Sequence, residues 1–580
     1  MNDLAKNSCA APSLPTALVH TLSLFPELEL TEKNGVVYTK SWVVDLLLSL
    51  AGYCPEQDLA GRLAVEPAAG DGAFLLSMAR RLVASCRLHG HSLNECGSAL
   101  LAYELEESSA NRARASLEML LCREGVSPVE ARSLAEAWVR VGDYLLEADR
   151  LPHADFVIGN PPYVRLEDID PIVGGTYRAR YPTMVGRADL YIAFFEAALK
   201  QLKPDGVCAF ICADRWMLNQ YGAELRRFIT SSFDVQAVVE MHNANAFDVE
   251  VSAYPAVTVI RRGRQGDAVV ASANSPLFSV DGSDLACALR AVRTLAVEKL
   301  AGIKGVQAAR VTTWFSNADP WPCVSPQRLA LLKRLEAEFP LLEPEETRTV
   351  VGIGVATGCD AVFITKNTSL VEAERLLPLA MAQDAKAGHL LWSGHYLVNP
   401  WDEEGLVCLS DCPQLEAYFE AHQERLKNRH IGQRTPERWY RTIDRVNMRL
   451  LRKHKLYFPD IKNTIYPVLD RGETYPHHNL YFVQSDRWDM EVLGGLLLSR
   501  VAQFFVECYG VRMRGGYLRF QAQYLRRIRV PRLETISEHQ ANELREAFRL
   551  FDVTRATRVA LDLYGIDTVT GRPTVKAASE

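Results

Sequence analysis

The chain has 580 residues, 48% of them hydrophobic and 23% charged, values typical of a soluble globular protein of two or three domains. The net charge of −6 excludes a uniformly basic nucleic-acid binder, although it does not describe local charge. The 13 cysteines lack the paired spacing of a zinc site or a disulfide framework, so we expect free thiols in a reducing prokaryotic cytoplasm, and no metal site. The sequence shows neither a signal peptide nor a stretch long enough to span a membrane.

Short β-rich runs alternate with amphipathic helical windows from about residue 60 to residue 262. This alternation predicts an α/β fold, namely a doubly wound, Rossmann-like sheet of seven strands whose last strand inserts antiparallel. We divide the chain into an N-terminal extension (1–30), the α/β domain (31–264), a connector with one helix (265–325), a mixed α/β domain (326–565) and a flexible tail (566–580).

The ends of the first three predicted strands carry the residues of a nucleoside site. The first strand runs into Val65–Leu75, whose glycines predict a tight turn and close backbone approach before a helix. Glu104 ends the second strand, where a carboxylate can accept hydrogen bonds from two ribose hydroxyls. Asp143 and Tyr144 end the third strand and suit an adenine amino group and ring. The structural alternatives are a solvated loop carboxylate for Glu104 and a helix cap for Asp143.

The glycine loop in Val65–Leu75 lacks the lysine of a phosphate-binding loop and the glycine pattern of a dinucleotide site. A nucleoside site without a diphosphate clamp favours S-adenosylmethionine, because this cofactor carries no phosphate and has a cationic sulfonium. S-adenosylmethionine is therefore the predicted cofactor.

The fourth strand ends in Asn160-Pro161-Pro162-Tyr163, which is the most informative segment of the chain. Two consecutive prolines fix two φ angles and remove two N–H donors, so this corner is stiff and rich in acceptors. The side-chain oxygen of Asn160 and the carbonyl of Pro161 can accept the two hydrogens of an exocyclic amino group while Tyr163 stacks on its ring. The segment predicts a catalytic site that alkylates an aromatic amine; its structural alternative is a proline-rich surface turn.

The second half of the chain holds two basic stretches that the acidic total conceals. Residues 421–456 hold eleven Lys and Arg against three acidic residues, and residues 509–532 hold seven arginines and no acidic residue. Arginine interleaved with aromatic residues predicts a nucleic-acid face, although any single arginine can have a solvated or structural role. The predicted DNA-binding residues are Arg434, Arg438, Trp439, Arg441, Arg514 and Arg519.

These motifs, in this order, resemble the gamma-class amino-group DNA methyltransferases of restriction–modification systems, which modify adenine at N6. Gly35–Lys40 resembles the upstream segment of that family, except that Lys40 stands where proline is usual. Asp189-Leu190-Tyr191 opens a helix as the next motif of the family does, and Phe247 matches its second aromatic at the target base. The structural alternative for Phe247 is an apolar residue that anchors a loop.

The resemblance covers nearly all of 31–262 and, more loosely, 345–532. Gly352–Asp360 and Gly516–Pro531 resemble the opening and closing segments of the family's target-recognition domain. The resemblance therefore implies a seven-stranded methyltransferase domain followed by a mixed α/β domain that recognises DNA.

The resemblance also implies a role for each residue of the site. Thr39 would contact the methionine carboxylate, Glu66 its amino end, Glu104 the ribose and Asp143 the adenine amino group. The target adenine would be flipped out of double-stranded DNA onto Tyr163 and Phe247 and would be methylated without a metal or a covalent intermediate. The predicted cofactor-binding residues are Thr39, Glu66, Ala68, Gly70, Asp71, Gly72, Glu104, Asp143, Tyr144 and Phe194.

Three alternatives share parts of this pattern. An RNA-base or protein-glutamine methyltransferase also carries Asn-Pro-Pro-Tyr, and a catalytically idle DNA-specificity protein would keep the basic second half. Pro459–Lys462 resembles part of a nuclease signature, as a fused restriction enzyme would have. The expected partners are double-stranded DNA and a separately encoded restriction endonuclease.

Overall fold

The structure, a computed structural model, describes residues 39–248, 254–273, 280–295, 305–322, 324–386, 388–510 and 517–567. The chain divides into two compact units between Pro326 and Gln327, called unit 1 and unit 2 below. Several predicted features lie outside the described residues, namely the N-terminal extension, Gly35–Tyr38, Arg514 and the tail beyond Asp567.

Unit 1 is built on one large sheet. Its strands are β1 (Ala64–Glu66), β2 (Leu100–Glu104), β3 (Val139–Val141), β4 (Ala154–Gly159), β5 (Leu202–Ala213), β6 (Phe233–Glu240), β7 (Pro255–Arg262), β8 (Ala268–Ala273) and β9 (Val306–Val311). In the described residues they form the order β3-β2-β1-β4-β5-β7-β6-β8-β9. Neighbours from β3 to β5 pair in parallel, and β7 inserts antiparallel between β5 and β6, as the sequence predicts.

The sheet has nine strands where the sequence predicted seven. The two additional strands, β8 and β9, come from the segment 265–325 that was interpreted as a connector. All six residues of β8 are buried, but three of them are alanine and one is serine, which have weak strand propensity. Propensity therefore did not reveal a strand that tertiary burial stabilises, and the connector is part of the sheet.

The helices of unit 1 connect these strands. They are α1 (Ser41–Ala51), α2 (Ala73–His89), α3 (Glu107–Arg123), α4 (Pro128–Trp138), α5 (Tyr144–Glu147), α6 (Pro171–Arg180), α7 (Tyr191–Gln201), α8 (Arg215–Leu218), α9 (Ala223–Ser232) and α10 (Gly282–Leu295). The strand order reverses between β1 and β4. In open α/β sheets ligands bind at the carboxyl ends of the strands beside such a reversal, so this edge is the expected position of a site.

Unit 2 contains several small sheets. Its strands are β10 (Val350–Ile353), β11 (Ile364–Thr365), β12 (Leu376–Ala380), β13 (Ala385–Lys386), β14 (His389–Leu390), β15 (Tyr396–Val398), β16 (Lys455–Pro459), β17 (Ile461–Lys462), β18 (Val468–Asp470), β19 (Tyr475–Pro476), β20 (Leu480–Gln484) and β21 (Leu518–Arg519). Among the described residues the two larger sheets have the orders β10-β20-β16-β18 and β11-β15-β12-β19.

The helices of unit 2 lie before, between and after these strands in sequence. They are α11 (Pro326–Glu338), α12 (Asp360–Phe363), α13 (Pro413–Ala421), α14 (Gln423–Lys427), α15 (His430–Arg434), α16 (Met448–Leu451), α17 (Met490–Leu498), α18 (Arg500–Tyr509), α19 (Ala522–Leu525), α20 (Glu538–Arg549) and α21 (Val553–Tyr564). No single helix of the described residues is long and apolar enough to cross a membrane; α17 and α18, bent by 64°, pass that test only as a pair.

Candidate active site

The glycine loop after β1 has the tight backbone that its sequence predicts. Gly70 and Gly72 have φ angles of 53° and 93°, in the left-handed region that favours glycine. Gly72 is also the residue that precedes α2, and a Cβ there would lie 3.4 Å from the Cβ of Ala113. Asp71, between the two glycines, accepts a hydrogen bond of 2.9 Å from Arg112 Nε, while Ala68 is half-buried.

Glu104 closes this loop from the end of β2. Its Oε2 accepts a hydrogen bond of 2.8 Å from the Gly70 amide, and its Oε1 accepts one of 2.9 Å from the Glu106 amide. The carboxylate is therefore held beside the loop and is not a freely solvated side chain. Its predicted contact with a ribose stays a prediction.

Glu66, the last residue of β1, is a buried carboxylate. It is 2% exposed, and it lies beside the backbone N–H groups of Phe74 and Leu75 at the start of α2, which oppose the rise of its pKa. Its Oε2 has no hydrogen-bond partner in the part of the chain that the structure describes. Burial raises the pKa of this carboxyl well above its usual range, and the charge of Glu104 raises it further.

Asp143 caps a helix, which is the structural alternative to a cofactor contact that its sequence position allowed. Its Oδ1 accepts a hydrogen bond of 2.9 Å from the Leu145 amide in α5. Its Oδ2 accepts one of 2.5 Å from the Tyr177 hydroxyl. Sequence reasoning missed Tyr177, because nothing in α6 indicates which carboxylate its hydroxyl meets. An additional contact between Asp143 and an adenine stays a prediction.

Tyr144 and Phe194 stack on each other inside unit 1. Their ring centroids are 5.8 Å apart with an interplanar angle of 21°, and Tyr144 is only 2% exposed. The Tyr144 hydroxyl donates a hydrogen bond of 2.7 Å to Gln201 Oε1. The structure thus brings these two predicted cofactor residues together, but as a packed pair whose rings already contact each other.

The Asn-Pro-Pro-Tyr corner follows β4 at the reversal of the sheet. Asn160 Nδ2 donates a hydrogen bond of 3.2 Å to the Oγ1 of Thr39, a buried residue that precedes α1. Pro161 is buried and Pro162 is half-buried, so the corner is built into the unit and is not a surface turn. Two segments 121 residues apart, each predicted to belong to the site, are therefore in direct contact.

Three aromatic rings surround the corner. The Tyr163 ring lies 6.4 Å from the Phe247 ring at 86° and 6.5 Å from the Tyr191 ring at 63°. Phe247 pairs with Thr39 through an antiparallel β-bridge, so it anchors its loop as well. The Tyr163 hydroxyl is buried and has no hydrogen-bond partner within the described residues, and its burial raises its pKa well above the usual value.

Asp189, which precedes α7, is held beside these rings by two tyrosines. Its Oδ2 accepts hydrogen bonds of 2.9 Å from the Tyr191 hydroxyl and 3.4 Å from the Tyr221 hydroxyl. Burial raises the pKa of Asp189, while these hydrogen bonds and Arg215 oppose the shift.

Sequence reasoning missed a histidine between two carboxylates near the same strand ends. His242 Nε2 lies 2.6 Å from Asp214 Oδ2, just after β5, and His242 Nδ1 lies 3.1 Å from Glu240 Oε1, at the end of β6. His242 directly precedes the loop that carries Phe247 in the sequence. The available signal was the acidic residue and histidine two positions apart at a strand end.

The basic stretch 421–456 is mostly exposed, whereas Arg519 of the second basic stretch is ion-paired. Most of the basic residues in 421–456 are exposed, namely Arg425, Lys427, Arg434, Arg438, Arg445, Arg449, Arg452 and Lys453. Lys427 Nζ lies over the Trp439 ring at 5.6 Å, and the Arg441 guanidinium lies over the Trp401 ring at 5.4 Å. Arg519 instead forms an ion pair with Asp460, the acidic residue of the nuclease-like segment. The DNA-binding role of each residue stays a prediction.

Comparisons with known proteins agree with this arrangement. The model of the Eco57I restriction-modification methylase matches residues 138–247, and that of the TaqI-like C-terminal specificity domain matches residues 411–530. The type II methyltransferase M.PaeR7I of Pseudomonas aeruginosa is 43% identical over 540 residues, which are 92% of this chain and 92% of the relative. M.XhoI of Xanthomonas vasicola is 40% identical over 543 residues, or 92% of this chain and 98% of the relative.

Among solved structures, the type IIL restriction-modification enzyme MmeI, determined in complex with DNA, has a similar fold. Its TM-score is 0.54 at 13% identity, over 95% of this chain and 75% of that one. A doubly wound α/β unit with Asn-Pro-Pro-Tyr after its fourth strand, joined to a TaqI-like specificity domain, defines a restriction–modification methylase. The chain belongs to the type II methyltransferases of restriction–modification systems, which confirms the resemblance seen in its sequence.

Proposed function

We propose that the chain transfers a methyl group from S-adenosylmethionine to N6 of an adenine flipped out of double-stranded DNA. The observation that carries the proposal is the hydrogen bond from Asn160 Nδ2 to Thr39 Oγ1, at 3.2 Å. Because the side-chain nitrogen of Asn160 donates to Thr39, the side-chain oxygen Oδ1 is the atom of this amide that can accept a hydrogen bond from a substrate at the corner. A rigid acceptor pair of Asn160 Oδ1 and the Pro161 carbonyl matches the two hydrogens of an exocyclic amino group.

The residues at the strand ends fit a cationic cofactor. The buried Glu66 carboxyl has an oxygen without a partner among the described residues, and an ammonium group would both satisfy it and stabilise its ionised form. Thr39 would hold the methionine carboxylate and Glu104 the ribose hydroxyls, while Gly70 allows close backbone approach. When bound, S-adenosylmethionine supplies an electrophilic methyl group on a sulfonium.

The chain's own residues then have two tasks at the target base. Asn160 and Pro161 accept from the amino group and draw it toward tetrahedral geometry, which localises its nitrogen lone pair. Tyr163 and Phe247 contact the flipped base. Flipping costs a few kcal/mol, and stacking on an aromatic ring returns about 1–3 kcal/mol of it.

Unit 2 would supply the DNA contacts and the sequence specificity. The match to a specificity domain and the exposed basic residues of 421–456 support this assignment. We also propose that a separately encoded endonuclease with the same target site is its partner, in the prokaryotic cytoplasm. Expression of the chain should then protect host DNA from that nuclease; DNA that is cut as before would contradict the partnership.

The decisive experiment identifies the methylated product. Purified protein is incubated with tritiated S-adenosylmethionine and plasmid DNA, and the DNA is digested to nucleosides, which are separated by chromatography. We expect the label in N6-methyl-2′-deoxyadenosine, whereas label in N4-methyl-2′-deoxycytidine would overturn the proposal. In parallel reactions that offer RNA or a glutamine-containing protein, labelling of either in place of DNA would overturn it as well.

The Asn160→Ala variant tests the site itself. Loss of a preorganised acceptor should lower kcat by about 10²–10³ and leave the dissociation constant of the cofactor unchanged. Asn111→Ala, a change at an exposed residue of α3, is the matched control and should keep full turnover. Near-normal turnover of Asn160→Ala would refute its role.

A further inference from the structure

Unit 2 contains a cluster of side chains with metal-ligating chemistry that the proposed function does not use. Asp360 begins α12, and His477 and His478 directly follow β19. Ligand atoms of these three residues all lie within 4.8 Å of one another. The sequence predicted no metal site, because its cysteines lack the spacing of one, and the 117 residues between Asp360 and His477 give no signal of this cluster.

His477 is buried and His478 is half-buried, and their rings lie side by side. His477 is 1% exposed, its ring centroid lies 4.0 Å from that of His478, and its Nε2 lies 3.2 Å from Asp360 Oδ2. The Nδ1 atoms of both histidines are buried and have no hydrogen-bond partner among the described residues. Buried polar atoms without partners are destabilising unless an ion or another ligand satisfies them, so the unpartnered Nδ1 of His478 points to a ligand, while His477 offers its Nε2 on the side of Asp360.

The backbone forces the two histidine side chains together. Successive residues of a regular strand point to opposite faces, but here the amide of His477 donates to Ala380 O at 3.0 Å and that of His478 donates to Val355 O at 3.1 Å. Gly354 packs directly on this turn, because a Cβ there would lie 2.2 Å from the carbonyl oxygen of His477. The close backbone contact at Gly354 thus fixes the turn that pairs the imidazoles.

We propose that Asp360, His477 and His478 bind a divalent transition-metal ion of the zinc class. Two imidazoles and a carboxylate are typical ligands of Zn²⁺, which binds such donors at about 2.0–2.2 Å, so that two donors around a tetrahedral ion lie about 3.3 Å apart. The separation of 3.2 Å between His477 Nε2 and Asp360 Oδ2 matches this requirement. The Asp360 side chain is 48% exposed, which leaves the ion a route from solvent and a place for water as a further ligand.

The surroundings support a bound cation. Thr357 Oγ1 donates a hydrogen bond of 2.5 Å to Asp360 Oδ1 and so orients the carboxylate, as partners of metal ligands do.

The ion would join two distant parts of unit 2. It would connect the Gly352–Asp360 segment, which resembles the opening of a target-recognition domain, to the turn after β19, which lies within the residues matched by the specificity-domain model. The site would therefore stabilise the fold of this unit and would not take part in methyl transfer.

The test uses the full-length chain without an affinity tag, dialysed against a chelator. Titration with Zn²⁺ alone, followed by calorimetry, should show one ion per chain and a higher Tm, because an ion that binds only the folded state stabilises it. Titration with Co²⁺ should give visible ligand-field absorption. Absence of saturable binding of both ions by the wild-type chain would overturn the proposal.

Two variants assign the ligands, and one serves as a control. His478→Ala and Asp360→Asn should each weaken Zn²⁺ binding by about 100-fold or more, since loss of an outer-shell partner alone already weakens it by about 10–100-fold. His389→Ala, a change at an exposed histidine of β14, should bind as the wild type does. Because the Asp360 side chain is exposed, loss of binding in Asp360→Asn would not be due to misfolding. Unchanged binding by this variant would overturn the assignment, as would equal loss in all three variants.

Discussion

At the scale of single residues, burial determines what the carboxylate of Glu66 can do. This side chain is enclosed at the end of β1, and its pKa is raised well above the usual range. The folded protein without cofactor therefore binds the Glu66 proton more tightly than the unfolded chain does. The stability that this proton contributes is present at low pH and is lost as the pH rises through the folded-state pKa.

We predict that binding of S-adenosylmethionine is coupled to the release of this proton. Because a cationic cofactor favours the ionised carboxylate, its affinity should rise with pH between about pH 5 and about pH 7.5, above which the amino group of the cofactor itself begins to titrate. Calorimetry in buffers of different ionisation enthalpy measures the protons released. Glu66→Gln should abolish the release, and Glu106→Gln, at an exposed position nearby, should keep it; proton release by Glu66→Gln would contradict the coupling.

At the scale of elements, basic residues in one stretch of sequence have different functions. Arg429, within the basic stretch 421–456, precedes α15 and is only partly exposed. Its guanidinium donates to the carbonyls of Thr357, Trp439 and Arg441 at 2.8–2.9 Å and lies over the Phe363 ring at 5.1 Å. Burial lowers its pKa. Arg429 therefore holds three backbone segments of unit 2 together.

We predict that Arg429→Met lowers the free energy of unfolding of unit 2 by about 2–4 kcal/mol, because it leaves several carbonyl groups without their charged donor. Arg425→Ala, at an exposed position in the same stretch, should change it by no more than about 0.5 kcal/mol. Urea denaturation followed by circular dichroism measures both variants. Equal effects of the two changes would show that position 429 is an ordinary surface arginine.

The elements of the sheet were largely predictable, whereas contacts between distant segments were not. β1 to β7 follow from apolar runs separated by helical periodicity, and the antiparallel β7 follows from the short connection before it. β8 was missed because buried alanine and serine do not indicate a strand.

In the candidate site, too, residues at strand ends were predictable from the sequence and contacts between distant segments were not. The glycine loop, Glu104 and Asn160–Tyr163 could be located because each lies at the end of a strand. The bond of Asn160 to Thr39, the bond of Tyr177 to Asp143 and the position of His242 between two carboxylates depend on how helices pack, which local patterns do not encode.

At the scale of the whole molecule, charge is distributed unevenly. The net charge is −6, yet residues 421–456 carry eleven basic and three acidic side chains, most of the basic ones exposed. Such a surface can bind DNA through its phosphates, with an affinity that falls as the salt concentration rises, because release of counterions from the DNA is then less favourable.

We predict a steep, linear decrease of log K for DNA with the logarithm of salt concentration. Arg434→Ala combined with Arg438→Ala should reduce the slope by about 2, because each phosphate contact contributes about 0.9. Arg558→Ala, which removes an arginine paired with Glu543, is the control and should leave the slope unchanged. Fluorescence anisotropy with a labelled duplex measures the slopes, and an unchanged slope in the double variant would exclude these arginines from the interface.

The position of β7 has a consequence for how the chain is made. β7 follows β5 and β6 in sequence but lies between them in the sheet, so it must enter a gap whose two sides are synthesised first. A nascent chain that has left the ribosome only as far as Glu240 would leave the facing edges of β5 and β6 without the strand that pairs with both, and such edges invite pairing with other chains. Translation therefore has to proceed past Arg262 before the facing edges of β5 and β6 can be covered, and past Ala273 before β8 can cover the other edge of β6.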